Sequence, residues 1–485
     1  MNSVSRIADA NVRQRCLNAF VDSYARIHMV GIGGVGMEGL TRFLHQLGCQ
    51  VSGSDNEYSS VLAELEDDGI VVQVGHNASF VESTINLLVY SAAVAEDNEE
   101  RIEAASRGIK TMSRAQLVAE LSSAFCTIAV AGTHGKTTTA AMLFEILQQN
   151  GSNPSSLIGG RRGGRAIAGL GTGDLLVLEA DEYDRSFLHL NPWMALITNV
   201  EAEHLEDTYK DESAVVDAFA EFAGAASEDG HLLINGDDPG CLQVFGTIDR
   251  KDVNTFGFDS TNDFRADCVD LHLHSSEFDL VSSSHSHTLS IGVPGRHNVA
   301  NAIAAASAAH MLQAGIEAVQ LGLGGFHGVQ RRFEIKDEVG GILVVEDYAH
   351  HPTEVRVAIE AARLRGRPVI VVFQPHLFTR TRIFMEQFAG ALKTADQVYL
   401  TNVYGAREVS EDGEEAMSLC RMMQMQGFKS VRYVPEKFDL IQELIVQCNS
   451  GDVILFMGAG DIGEVADRMV DDLRQRAIVR MGENL

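Results

Sequence analysis

The sequence is short of positive charge. Lys and Arg total 38 against 67 Asp and Glu, a formal net charge of -29 at pH 7 over 485 residues. A surface of that sign repels nucleic-acid phosphates, which excludes a general DNA- or RNA-binding role. It leaves room for a local basic pocket holding a small anion. Paired cysteines are also missing. Cys16, Cys49, Cys126, Cys241, Cys268, Cys420 and Cys448 are scattered, odd in number and without a C-x-x-C pair. They read as reduced thiols of a cytoplasmic protein, not as disulfides or a zinc site. No apolar run approaches the roughly 18 residues that cross a bilayer, so no membrane role is expected. Residues 1–24 contain no signal-peptide h-region. Val4, Ile7, Leu17, Phe20 and Val21 instead predict a short helical leader over residues 1–25, of unassigned role. Arg6, Arg13 and Arg15 give it a faint transit-peptide look, which Asp9 and Asp22 oppose.

What is present is ordinary globular material, 45% hydrophobic and 22% charged. At roughly 100–200 residues per domain, the length predicts about three domains. A β-then-α unit recurs along the chain. "RIHMVGIGG" leads into a helical pattern at Met37–Leu47, and "CTIAVAGTHG" into Lys136–Gln149. Further short β-branched runs are "DLLVLEA", "MALITNV", "HLLING", "GILVVED", "PVIVVFQ", "QVYLTN" and "DVILFMGAG". Such runs fit strands buried on both faces, and their alternation with helices predicts an α/β protein with parallel sheets. Boundaries fall near residues 125 and 330, giving units 26–125, 126–329 and 330–485. Between Asp252 and Thr288 the alternation in "DLHLHSSEFDL" predicts a small antiparallel excursion.

Two kinds of glycine loop carry phosphate chemistry. Gly31, Gly33 and Gly36 form G-x-G-x-x-G after the first strand, with Asp55 at about the distance that meets a ribose hydroxyl. The pattern recurs at Gly458, Gly460 and Gly463, so alone it says only that a strand turns tightly into a helix. "VAGTHGKTTTA" is sharper. Gly132 and Gly135 let the backbone curl, and a helix starts at Lys136 or Thr137 with its positive end facing the same point. Lys136 then reaches phosphate oxygens, and the Thr137 hydroxyl sits on Mg²⁺. The full P-loop pattern would begin with glycine where this chain has Val130, so the match is the shorter G-x-x-G-K-T.

Downstream, "LLVLEADEYDRSF" places Glu179, Asp181, Glu182 and Asp184 after a strand. Ligands of open α/β sheets bind outside that edge, and clustered carboxylates there need a cation such as Mg²⁺. An acidic loop in an acidic protein is the alternative. "LITNVEAEHLEDTY" repeats the layout with Glu201, Glu203 and His204.

In order and spacing, "AGTHGKTTT", "LEADEYDRSFL", "NVEAEHLEDTY", "GRHNVANAIAA", "RRFE", "EDYAHHPTEV", "FQPHLFTRTR" and "MGAGDIG" resemble the Mur ligases, from about residue 26 to about 470. The resemblance implies three domains: a Rossmann-like one binding a UDP-sugar, a P-loop-type central one binding ATP, and a Rossmann-like C-terminal one bringing an amino acid. It implies a ligase that joins L-alanine to UDP-N-acetylmuramate through an acyl phosphate, with ATP and Mg²⁺, as a monomer or homodimer. By matching motif, Gly132, Thr133, His134, Gly135, Lys136, Thr137 and Thr138 resemble the ATP loop. His297, Asn298 and Arg332 join it, with Arg331 the fallback for Arg332. Thr137, Glu179 and His204 resemble metal ligands. Tyr348, His350, His376 and Arg380 resemble the amino-acid pocket, Arg380 suiting a carboxylate by its planar fork. Catalytic weight falls on Lys136, His204, His350 and Arg380. In this frame Gly31, Gly33, Gly34, Gly36, Asp55, His76 and Ser91 line the UDP-sugar cleft.

Taken alone, "AHHP" reads equally as a helix N-terminal turn capped by His350 and His351, and "TRTR" as a solvated face. Glu346, Glu203 and Leu377 depart from the residues expected there, and no carbamylated lysine is expected. Three other functions remain open. They are a muropeptide-recycling ligase adding a tripeptide, an NAD-dependent dehydrogenase resting on the first glycine pattern, and a nucleotide-sensing protein without turnover.

Overall fold

The computed structural model describes residues 10–205, 208–250, 252–283, 285–406, 408 and 413–483. The expected leader positions Val4, Arg6, Ile7 and Asp9 lie outside them. Strands β1–β5 (Arg26–Val30, Gln50–Asp55, Val71–Val74, Leu87–Tyr90, Lys110–Ser113) form a parallel sheet in the order β3-β2-β1-β4-β5. The reversal between β1 and β4 opens a crevice at the carboxyl ends of the strands, where such folds take ligands.

Strands β6–β15 make a ten-stranded sheet, ordered β15-β14-β13-β12-β11-β10-β6-β9-β7-β8. They are Cys126–Ala131, Ser155–Arg162, Arg165–Gly169, Leu175–Glu179, Met194–Ile197, His231–Asn235, Val253–Gly257, Phe264–Leu271, Ser276–Ser282 and His285–Ile291. The central β6 is buried at all six positions, as a sheet covered on both faces requires. The predicted antiparallel excursion needs correcting at its start, because β12 and β13 pair in parallel. The Asp237 carboxylate accepts N–H groups of Phe258 and Asp259 and the Asn262 amide. The tie curls the connecting loop and sends the chain back in the same direction.

Strands β16–β21 (Glu334–Val339, Ile342–Asp347, Val369–Phe373, Gln397–Leu400, Val431–Tyr433, Val453–Met457) form the third sheet, ordered β16-β17-β21-β18-β19-β20. Only its edge pair β16–β17 is antiparallel.

The first two sheets share one compact unit and the third lies in another. Within the first unit the helix Val35–Leu47 rests on the β7–β8 hairpin, Gly39 facing Ala168. Here the Arg161 guanidinium grips Glu38 at 2.7 Å and Glu64 at 2.5–2.6 Å, and Arg42 completes the network. The leader helix Ala10–Ser23 is part of this core: Leu17 and Phe20 are buried in the same cluster as Leu121 and Phe125. All seven cysteines are free thiols. Burial raises Cys49 to about 11 and Cys126 and Cys448 to about 12, so these three stay protonated and inert. No described helix is long and apolar enough to cross a membrane.

Candidate active site

The loop after β6 has the backbone a phosphate cradle needs. Gly132 has φ +136° with the Thr198 hydroxyl where a Cβ would stand, and Gly135 has φ +81° against the Asn301 side chain. Alanine fits neither position. The helix Lys136–Gln149 begins with no side-chain cap. Its first N–H groups and its positive end are therefore left for an anion. The loop is pinned from outside: the His134 N–H donates to Asn199 Oδ1 at 2.8 Å, and the Glu201 N–H to Thr133 Oγ1 at 2.8 Å.

Lys136 folds back over this loop. Its Nζ donates to the Gly132 carbonyl at 2.7 Å and to both Glu182 oxygens at 2.7 and 2.9 Å. Burial alone would pull the ammonium down, but Glu182, Asp181 and Glu203 hold it well above the ordinary lysine value. It is a fixed positive charge. Thr137 Oγ1 donates to Glu179 Oε1 at 2.6 Å, and Glu179 Oε2 accepts the Gly159 N–H at 2.7 Å.

The expected metal set Thr137, Glu179 and His204 resolves into two groups. Thr137 and Glu179 form one. His204 instead joins Glu182 and Glu203, with ligand atoms all within 4.8 Å of one another. His204 sits in the left-handed region at φ +57°, its carbonyl accepting the N–H groups of Thr208 and Tyr209 at 3.0 Å. A histidine held in that region costs about 1 kcal/mol or more, strain of the kind that collects at functional sites. Two carboxylates and an imidazole, beside a threonine–carboxylate pair, are chemically suited to a hard divalent cation. Glu203, a departure from the expected motif, is thus a member of the cluster and is buried. The sequence reading placed Glu182 among the clustered carboxylates of its own segment but did not join it to His204, and it did not single out Asn301. Asn301 was findable, since it lies one helical turn beyond Asn298 on the same face. Asn298 is buried in the first turn of the helix Arg296–Met311, and Thr139 donates to Asn301 at 3.2 Å.

At the crevice of the first sheet lies a cavity of about 580 Å³ lined by Gly31, Gly33, Gly34, Asp55, His76 and Ser91. Gly36 is not among its walls. The Arg114 guanidinium covers it, 2.9 Å from where a Cβ would stand, so its glycine serves close packing. Asp55 accepts the N–H groups of Gly33 and Asn56, each at 2.8 Å, which sets the loop's shape. Asn56, Glu57, Ser59 and Asn98 also line the cavity, and no sequence signal marked them.

In the second unit Tyr348, His350 and His376 come together, with ring centroids 5.3 and 5.9 Å apart in succession. His376 stacks on Tyr404, a residue that no sequence motif marked. Arg380, in the helix Phe378–Ile383, is only 2% exposed. His351 is a cap: it opens the helix Pro352–Arg363 in a capping box with Glu354. His350 bonds the Tyr348 carbonyl through Nδ1 at 2.9 Å. Arg332 lies over the Tyr348 ring, 3.7 Å from Glu354. Arg331 bonds Glu346 at 2.8 Å and the carbonyls of Gly458 and Gly460 at 2.9 and 2.8 Å. The second glycine pattern thus presents oxygens to a guanidinium instead of N–H groups to an anion. Glu346, another of the three departures, also takes Lys336 at 3.3 Å. Burial pushes the His297 imidazole down to about 4, so it is neutral at physiological pH.

Comparison with known proteins agrees with this arrangement sheet by sheet. Residues 26–126 match the Mur ligase family, catalytic domain; 130–309 the Mur ligase middle domain; and 331–460 the Mur ligase, glutamate ligase domain. The chain is 42% identical over 456 residues to UDP-N-acetylmuramate--L-alanine ligase of Salinibacter ruber, covering 92% of this chain and 94% of that protein. It is 39% identical over 468 residues to the protein of that name in Thermobifida fusca, covering 93% and 98%. Among solved structures, UDP-N-acetylmuramate-alanine ligase from Thermotoga maritima superimposes with a TM-score of 0.79 at 28% identity, covering 93% of this chain and 99% of that one. A murein peptide ligase from Psychrobacter arcticus gives 0.71 at 24%, covering 93% and 98%, a likeness of fold. Similarity of this extent, spread over all three sheets, makes the chain a member of the Mur ligase family.

Proposed function

We propose that this protein is an ATP-dependent ligase joining L-alanine to the lactyl carboxylate of UDP-N-acetylmuramate in peptidoglycan precursor synthesis, a cytoplasmic process. The observation that carries the reading is the uncapped, glycine-built helix start at Lys136 beside the Glu182–Glu203–His204 cluster and the Thr137–Glu179 pair, in a chain so similar to ligases of that name.

A carboxylate is a poor electrophile toward an amine in water. Transfer of the γ-phosphoryl group of ATP to a carboxylate oxygen gives an acyl phosphate and ADP. The alanine nitrogen then attacks the acyl carbon, the C–O bond to phosphate breaks, and phosphate departs as the amine loses its proton. Catalysis is therefore mostly positioning and charge neutralisation. Lys136 and the N–H groups from Gly135 to Thr138 at the uncapped helix start hold the nucleotide phosphates. Thr137, Glu179, Glu182, Glu203 and His204 would hold Mg²⁺, which neutralises phosphate charge when bound. The cavity at Gly31–Gly34 takes the UDP moiety. Tyr348, His350, His376 and Arg380 take the amino acid, Asn298 assists ATP, and a central ATP-binding domain spans residues 126–329.

Incubation with UDP-N-acetylmuramate and ATP should release phosphate when L-alanine is added, and far less with a tripeptide in its place. Faster release with the tripeptide would overturn the substrate assignment. NADH should show no fluorescence enhancement on mixing; a tight complex would revive the dehydrogenase reading of the first glycine pattern.

A further inference from the structure

Beneath the first cavity lies a charge that the mechanism above does not use. Glu100, second residue of the helix Glu99–Ser106, is fully buried, and His28 on β1 is 1% exposed beside it. The small apolar cluster on this side of the sheet contains Val30, Leu88 and Ala104. A carboxylate here is costly unless it is fully hydrogen-bonded. It is. Oε2 accepts from His28 Nε2 at 2.6 Å, and Oε1 lies 2.8 Å from His76 Nδ1. The Ser54 hydroxyl donates between the two oxygens, at 2.8 and 2.9 Å. Burial would raise this carboxyl, but the hydrogen bonds of His28, Ser54 and His76 hold it below the usual carboxylate value.

An ionised carboxylate only accepts, so each imidazole nitrogen facing it must carry its proton. For His28 this leaves Nδ1 bare, to accept from the Ser52 hydroxyl 2.9 Å away. For His76 it places the proton on Nδ1 and leaves Nε2 bare. The His76 ring lines the cavity, and among the described residues Nε2 has no partner.

We infer that Glu100 is a positioning residue for nucleotide-sugar recognition: it fixes His76 in the Nδ1–H tautomer, so that Nε2 accepts a hydrogen bond from an N–H or O–H of the bound nucleotide sugar. This rests on the reading of the cavity given above. The second-layer carboxylate sets which ring nitrogen is available, as partners of functional histidines commonly do. Glutamine at position 100 can donate as well as accept, so it releases the choice of tautomer.

The test is ¹⁵N spectroscopy of the full-length protein at mildly alkaline pH, with His76→Gln to assign the signal. The wild type should show protonated Nδ1 and unprotonated Nε2. The Glu100→Gln variant should show a mixture of tautomers, with KM for UDP-N-acetylmuramate raised about tenfold, the loss of roughly one hydrogen bond. Its kcat and its KM for ATP should be unchanged. Adding Glu100→Gln to His76→Ala should cost nothing further, because Glu100 acts through the ring. An Nε2-protonated wild type, or additive penalties in the double variant, would overturn the inference even if Glu100→Gln folds poorly alone. If the wild type binds no UDP-sugar by calorimetry, the cavity reading falls and the inference with it, and the nitrogen spectrum tells that failure from a wrong tautomer.

Discussion

Replacing Lys136 with alanine is expected to cut ligation by about 10³-fold or more, the scale on which charge-stabilising groups in a closed site act. Binding of UDP-N-acetylmuramate, measured by calorimetry, should be unchanged, because its cavity lies on another sheet. The loss has two parts. One is the ammonium aimed at developing phosphoryl charge. The other is Glu182, which the variant leaves buried beside Glu203 without its cation. Lys136→Ala should therefore also disturb the carboxylate cluster, and adding Glu182→Gln to it should restore none of the activity. Near-normal turnover in Lys136→Ala would remove the lysine from the mechanism.

The second large effect concerns stability. Arg161→Met breaks a partly buried double fork to Glu38 and Glu64 and leaves Glu38, itself 1% exposed, with only Arg42. A destabilisation of about 2–3 kcal/mol is expected, since the buried Glu38 loses its bidentate partner and keeps only the longer contact to Arg42 at 3.3 Å. In thermal unfolding the first transition should fall by several degrees, at roughly 2–4 °C per kcal/mol for a domain of 150–250 residues. Pairing Arg161→Met with Glu38→Met should recover most of it, because Arg42 then retains Glu64 and Asp68. If the double variant is as unstable as the single one, charge pairing is not what holds the helix to the hairpin.

Legibility in the sequence followed physical range. Strands β1, β6, β9–β11, β17–β19 and β21 stand out because burial on both faces forces continuous apolar runs. Edge strands did not. Val71–Val74 is exposed at both ends and half-buried between them, and the β7–β8 hairpin carries RRGGR at its tip, so neither shows a period. In the site, Lys136, Thr137 and Glu179 were legible because a loop, a strand end and a helix start are contiguous in the chain. The regrouping of His204 with Glu182 and Glu203 was not, since it depends on a left-handed backbone at His204. Arg331 against Gly458 and Gly460 joins residues more than a hundred positions apart, which no local pattern encodes. The charge network under the first cavity was invisible for the same reason, although His76 itself was named.

The seating of the helix Val35–Leu47 on β7 and β8 bears on how the molecule can be dissected. A fragment ending at residue 125, the boundary read from the sequence, would bare Gly39 and strip Glu38 of Arg161. It would be expected to express poorly or aggregate, despite carrying an intact five-stranded sheet. A fragment ending near Phe326 keeps the whole of that packing and the leader helix besides. The natural seam for a separately produced, nucleotide-binding half is therefore the later one.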